Sequence, residues 1–124
     1  MSAFPNPAFA VPELAPEDLR MRLEVGEPLT LLDVREPYER SYCAIAVPPT
    51  AGDLFIPLRT IPTQIEVVHE ALRRGPLVVY CHHGIRSRNV AQWLADRGLS
   101  GILNLRGGID AWSREADSTV PRYY

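Results

Sequence analysis

The sequence predicts an α/β domain built on a parallel sheet with helices over both faces. Two observations carry this. Residues 29–34 form an apolar run closed by a charge, residues 77–81 are aliphatic and β-branched, the pattern of strands buried on both sides, and 102–105 read as another strand. Between them lie stretches with helical periodicity and recognisable start and stop residues, and strands that alternate with helices form parallel sheets. A chain of 124 residues with 46% hydrophobic and 23% charged content has the size and composition of one globular domain spanning 1–124.

Taken in order, residues 1–12 contain Pro5, Pro7 and Pro12 and are expected to form an extended arm. Pro16, Glu17 and Asp18 open a helix over 16–24, because proline suits the first turn and acids suit the positive helix end; Gly26 closes it. The strand over 29–34 ends in Asp33 and Val34, and residues 37–42 can make one helical turn. Pro48, Pro49 and Gly52 predict a loop over 43–53, followed by a short strand at 55–56 before Pro57. A helix over 63–74 places Ile65, Val68 and Leu72 on one face and stops at Gly75-Pro76. The aliphatic, β-branched run 77–81 is the clearest strand. A polar turn leads to a helix over 87–97, with Val90, Ala91, Trp93 and Leu94 as its apolar stripe and Gly98 as its cap. After the strand over 102–105, Gly107 and Gly108 turn the chain into a last short helix carrying Ala111 and Trp112, and residues 116–124 form an irregular tail.

Several classes of function are disfavoured by composition. A net charge of −2 does not suit a nucleic-acid binder that works by phosphate neutralisation. No apolar stretch approaches a membrane span, and the first ten residues lack the charged-then-apolar order of a secretory signal. Cys43 and Cys81 are therefore expected to be reduced thiols in a cytoplasmic protein. All 13 basic residues are arginine, so an anion site here uses guanidinium groups or backbone amides.

Ligands of parallel sheets gather beyond the carboxyl ends of the strands. Two stretches fall there: Asp33-Val34-Arg35, and Cys81-His82-His83-Gly84-Ile85-Arg86-Ser87. A cysteine between a buried strand and a helix faces successive backbone N–H groups and the positive end of that helix, a cup for an anion that favours the reactive thiolate. Gly84 lets the loop curl tightly, Arg86 adds positive charge, and His82 and His83 flank the sulfur. The plainer reading is a buried cysteine closing a strand beside exposed histidines; the loop context favours chemistry. Zinc would need four ligands at wider spacing, whereas Cys81, His82 and His83 are adjacent and diverge, so no metal and no cofactor is expected. Cys43 reads as a small packing residue, with a resolving thiol as the alternative. Trp93 and Trp112 read as packing residues, and Arg20, Arg22, Arg73 and Arg74 as solvated helix faces.

Three segments resemble the rhodanese family, in its order and spacing: Leu31-Leu32-Asp33-Val34-Arg35-Glu36-Pro37-Tyr38-Glu39, Val79 through Ser87, and Leu105-Arg106-Gly107-Gly108-Ile109-Asp110-Ala111-Trp112. The resemblance implies a three-layer α/β/α fold with about five parallel strands. It also implies an active loop over 81–86 whose cysteine takes sulfane sulfur from thiosulfate or a persulfide and passes it to cyanide, a thiol or a partner protein. Asp33 and Arg35 lie where the family places a charged pair beside the loop, with anchoring of the loop as the alternative role. Residues 43–49, Cys-Ala-Ile-Ala-Val-Pro-Pro, depart from the family's His-Ile-Pro-Gly-Ala-like stretch, which bears on the pocket wall and the donor. Two rival readings share the architecture. A cysteine phosphatase or arsenate reductase uses the same cup and arginine, but with a loop one residue longer in the phosphatases. A silent interaction module usually loses the cysteine that this chain keeps.

Overall fold

The computed structural model describes residues 10–124, so most of the arm expected over 1–12 lies outside the described residues. The described chain runs β1 (Glu13–Leu14), α1 (Pro16–Glu24), β2 (Thr30–Asp33), α2 (Pro37–Tyr42) and β3 (Gly52–Phe55). A 3-10 segment, Leu58–Gln64, then leads into α3 (Ile65–Arg74), β4 (Leu77–Tyr80), α4 (Ile85–Asp96), β5 (Ile102–Leu105) and α5 (Gly108–Glu115). All five strands are parallel, in the order β1-β5-β4-β2-β3. The two strands that lead to candidate site residues are neighbours: Asp33 pairs in register with Tyr80, one residue before Cys81.

Every residue of β2 and β4 is buried, which explains their unbroken apolar character. Successive side chains point to opposite faces and build two cores. On one face Leu31, Val78, Tyr80 and Leu105 pack with Leu19 and Leu23 of α1 and with Ile109 and Trp112 of α5. On the other, Leu32, Val79 and Cys81 pack with Val68 and Ala71 of α3 and with Val90, Ala91 and Leu94 of α4. Full burial of each such aliphatic side chain stabilises the fold by about 1.5–3 kcal/mol. The three-layer α/β/α arrangement and the five-stranded parallel sheet expected from the sequence are both present.

The departures are local. β1 was not anticipated, because a two-residue strand has no pattern of its own; it exists through pairing with β5. The third strand occupies Gly52–Phe55 rather than 55–56: glycine and aspartate are poor strand formers, but the register with β2 extends pairing back to them. Pro62 confines the start of the expected 63–74 helix to 3-10 geometry, and α3 begins at Ile65. α4 begins at Ile85, two residues before the expected start.

Candidate active site

β4 delivers Cys81 to the carboxyl end of the sheet, between two helices that both start at this end, α4 and α5. The Cys81 side chain is 1% exposed, and its Sγ accepts hydrogen bonds from the backbone N–H of Gly84 at 3.1 Å and of Ser87 at 3.3 Å. Gly84, at φ +93, is the left-handed residue that caps α4 and folds its own amide back onto the sulfur. Ser87 lies in the first turn of α4, so the sulfur also faces the positive end of that helix. Of the expected loop residues, Gly84 reaches the sulfur directly, and Ser87 joins it from just beyond the loop.

The third sequence motif holds the loop from behind. The Ile109 amide donates to the Cys81 carbonyl at 2.9 Å, and the Asp110 amide donates to the His82 carbonyl at 3.0 Å. These are otherwise unpaired amides at the start of α5, so one helix end is satisfied by the loop it supports. Gly108 makes the approach possible: a Cβ there would lie 2.4 Å from the His82 carbonyl oxygen and 2.6 Å from that of Cys81. A further brace, Asn104, was not singled out from the sequence. Its Oδ1 accepts from Ser87 Oγ at 2.6 Å, and its Nδ2 donates to the Gly84 carbonyl at 3.1 Å and to the Glu13 carboxylate at 2.9 Å. The signal was available, since a buried amide in the apolar run Ile-Leu-Asn-Leu demands partners.

The charged residues form a layered network. Arg86 meets Glu39 of α2 through two hydrogen bonds of 2.7 and 3.0 Å, and remains 38% exposed at its side chain. Burial acts to raise the pKa of Glu39, but hydrogen bonds from Arg86, Tyr123 and the Glu36 amide outweigh it and hold the pKa down at about 2. Asp33 and Arg35, expected beside the loop, turn inward. They pair at 2.8 and 2.9 Å with no exposed surface, and Arg35 also donates to the Cys43 carbonyl at 2.7 Å and to Tyr123 Oη at 3.0 Å. Arg40 adds a second guanidinium on Asp33 at 3.3 Å. Arg35 therefore has no donor left for a ligand.

His82 and His83 pack ring on ring with centroids 3.8 Å apart, and Tyr123 stacks on the other side of His82 at 3.8 Å. Burial and the adjacent His83 lower the pKa of His82, so its ring is neutral at neutral pH. The His82, His83 and Asp110 ligand atoms lie within 4.8 Å of one another. Asp110, however, is already engaged by Arg122 at 2.9 Å and Arg114 at 3.2 Å, which commits its charge to guanidinium groups. Ile85 is exposed at the loop's outer edge. Cys43 belongs to the core on the face of the sheet opposite Cys81, and both thiols are free. Among the described residues no helix is long and apolar enough to cross a membrane.

A sulfur held by amides at the start of a helix, beyond a central parallel strand, marks an α/β protein of the cysteine-loop class. Within that class the chain belongs to the rhodanese family: the model of the Rhodanese-like domain matches residues 15–115. A protein named sulfurtransferase from Allochromatium vinosum is 36% identical over 104 residues, covering 84% of this chain and 90% of that one. The thiosulfate sulfurtransferase GlpE of Actinobacillus pleuropneumoniae is 30% identical over 102 residues, covering 82% and 86%. Among solved structures, a rhodanese-related protein from Thermoplasma volcanium superposes with a TM-score of 0.69 at 28% identity, covering 85% of this chain and 93% of that one. A human single-domain sulfurtransferase superposes at 0.65 and 26% identity, covering 85% and 97%.

Proposed function

We propose that the protein is a sulfurtransferase that carries sulfane sulfur as a persulfide on Cys81. The observation that carries this reading is the pair of amide hydrogen bonds to Sγ from Gly84 and Ser87, at the start of α4. They stabilise negative charge on sulfur, and the first-turn amides of Ile85 and Arg86, which have no intrahelical partner, are available to a second sulfur beyond it. The thiolate attacks the sulfane sulfur of thiosulfate, the S–S bond of the donor breaks, and sulfite leaves with the bonding electrons. An acceptor thiolate then attacks the outer sulfur of the persulfide, takes it, and returns Cys81 as thiolate.

Thiosulfate as donor is supported by the name of the GlpE relative and by the size of the loop, and a thiol, free or on a partner protein, is the acceptor we propose with it. Arg86 keeps its Nε–H and one N–H on each terminal nitrogen beyond its Glu39 contacts, a surface suited to sulfonate oxygens. Asp33 and Arg35 serve as the framework under the loop rather than as ligand contacts, because neither is exposed. The reaction needs no metal or cofactor, and a reducing cytoplasmic setting suits a free thiol. Mass spectrometry tests the proposal: thiosulfate adds the mass of one sulfur atom to the Cys81 peptide, a reductant removes it, and Cys81→Ser abolishes it. Aryl phosphate hydrolysis that depends on Cys81, with no such adduct, would favour the phosphatase reading.

A further inference from the structure

The tail after α5 has no helix or strand, yet it is built into the site. Val120 is buried, and its carbonyl accepts from Ser113 Oγ at 2.5 Å. Arg122 then ties the chain to Asp110, the residue whose amide holds the His82 carbonyl. This anchoring sets Tyr123 over the active loop with two separate attachments. Its ring stacks on His82 with the planes 9° from parallel, and its edge meets Tyr42 of α2 at 5.7 Å. Its hydroxyl accepts from Arg35 Nη1 at 3.0 Å and donates to Glu39 Oε2 at 2.7 Å.

Glu39 is 3% exposed at its side chain and receives four donors, two from Arg86, one from the Glu36 amide and one from Tyr123. The Tyr123 hydroxyl is the one of these four supplied from the tail, the others coming from the N-cap of α2 and from the active loop. It links the buried Asp33–Arg35 pair to the carboxylate that orients Arg86. We infer that Tyr123 is a positioning residue for anionic sulfur donors: it fixes Glu39 so that Arg86 presents its free guanidinium edge to the sulfonate of the donor. The inference rests on the sulfurtransferase reading and adds a specificity element supplied by the tail.

The phenol acts through Arg86, so its removal affects capture of a sulfonate and spares the chemical step. In Tyr123→Phe the stack on His82 persists while the link to Glu39 is lost. KM for thiosulfate is expected to rise about three- to ten-fold with kcat nearly unchanged, as for loss of part of one charge-assisted hydrogen bond. Loading from an alkyl persulfide, which has no sulfonate, is expected to stay at the wild-type rate. Tyr123→Leu, which also removes the stack, is expected to show the same preference more strongly, and Tyr124→Phe, at a fully exposed position, none. An unchanged KM in Tyr123→Phe, or an equal loss with both donors, overturns the inference. Collapse of the fold in that variant also counts against it, because the phenol is then holding the domain and not the donor. Failure of the sulfurtransferase reading is seen separately, as wild-type protein that gains no sulfur from either donor.

Discussion

Replacing Gly108 by alanine tests whether α5 holds the active loop in place. Gly108 sits at φ +64, where an L side chain costs about 1–2 kcal/mol. The new Cβ would also lie 2.4 Å from the His82 carbonyl oxygen and 2.6 Å from that of Cys81, so the loop has to retreat by about 1 Å to reach ordinary contact. That retreat breaks or lengthens the Ile109 and Asp110 hydrogen bonds to the same two carbonyls, each worth about 0.5–1.5 kcal/mol. The expected destabilisation is about 2–5 kcal/mol in urea titration. A displacement of that size at a reacting atom is expected to slow sulfur loading of Cys81 about a hundred-fold. Gly98→Ala is the matched control: its φ is +86, but nothing lies within 4 Å of the added Cβ, so it carries the backbone cost alone. If Gly108→Ala loads sulfur as fast as Gly98→Ala and is equally stable, the bracing of the loop by α5 is wrong.

Other variants probe the buried charges and the second thiol. Arg35→Lys loses the paired N–H contacts on Asp33 and leaves the Cys43 carbonyl unpaired; about 3 kcal/mol of stability is expected to go, read by chemical denaturation. Glu39 has a folded pKa of about 2 against an ordinary value of 4.5, so its stabilisation is present above pH 4.5 and is lost as pH falls toward 2. Acid unfolding followed by fluorescence is expected to show a shallower loss over that range in Glu39→Gln, and an unchanged slope would refute the assignment. Cys43→Ser, on the far side of the sheet, is expected to keep single-turnover sulfur loading; a large loss would make Cys43 part of the chemistry.

How much of this was legible depended on whether a residue's role is local. The bounds of α1 follow from Pro16 and two first-turn acids, and β2, β4 and β5 announce themselves by apolar runs that only a doubly covered sheet can bury. Cys81 and its loop were readable because strand, glycine and helix start lie within seven residues. β1 and the true extent of β3 were not, because their pairing partners lie far along the chain and their own residues carry little preference. The same holds within the site. Asp33 and Arg35 were expected beside the loop, but burial, which fixes their direction, depends on α2 and the tail. Tyr123 lies 42 residues beyond Cys81 in a segment without periodicity, and only the folded tail brings it to His82. Asn104 was the readable exception, a polar residue where the strand pattern allows none without a partner.

In the proposed persulfide state, the depth at which Cys81 sits would govern which of two sulfur atoms an incoming thiolate can strike. A persulfide offers two electrophilic sites. Attack on the inner sulfur forms a mixed disulfide and expels hydrosulfide, which jams the protein and wastes the cargo. Attack on the outer sulfur hands the cargo over and frees the carrier. With only 1% of Cys81 exposed, the inner atom would be shielded, whereas an outer sulfur bonded about 2 Å beyond it would be the one offered to an acceptor. In that state regioselectivity would be imposed by shielding, before any difference in sulfur reactivity comes into play.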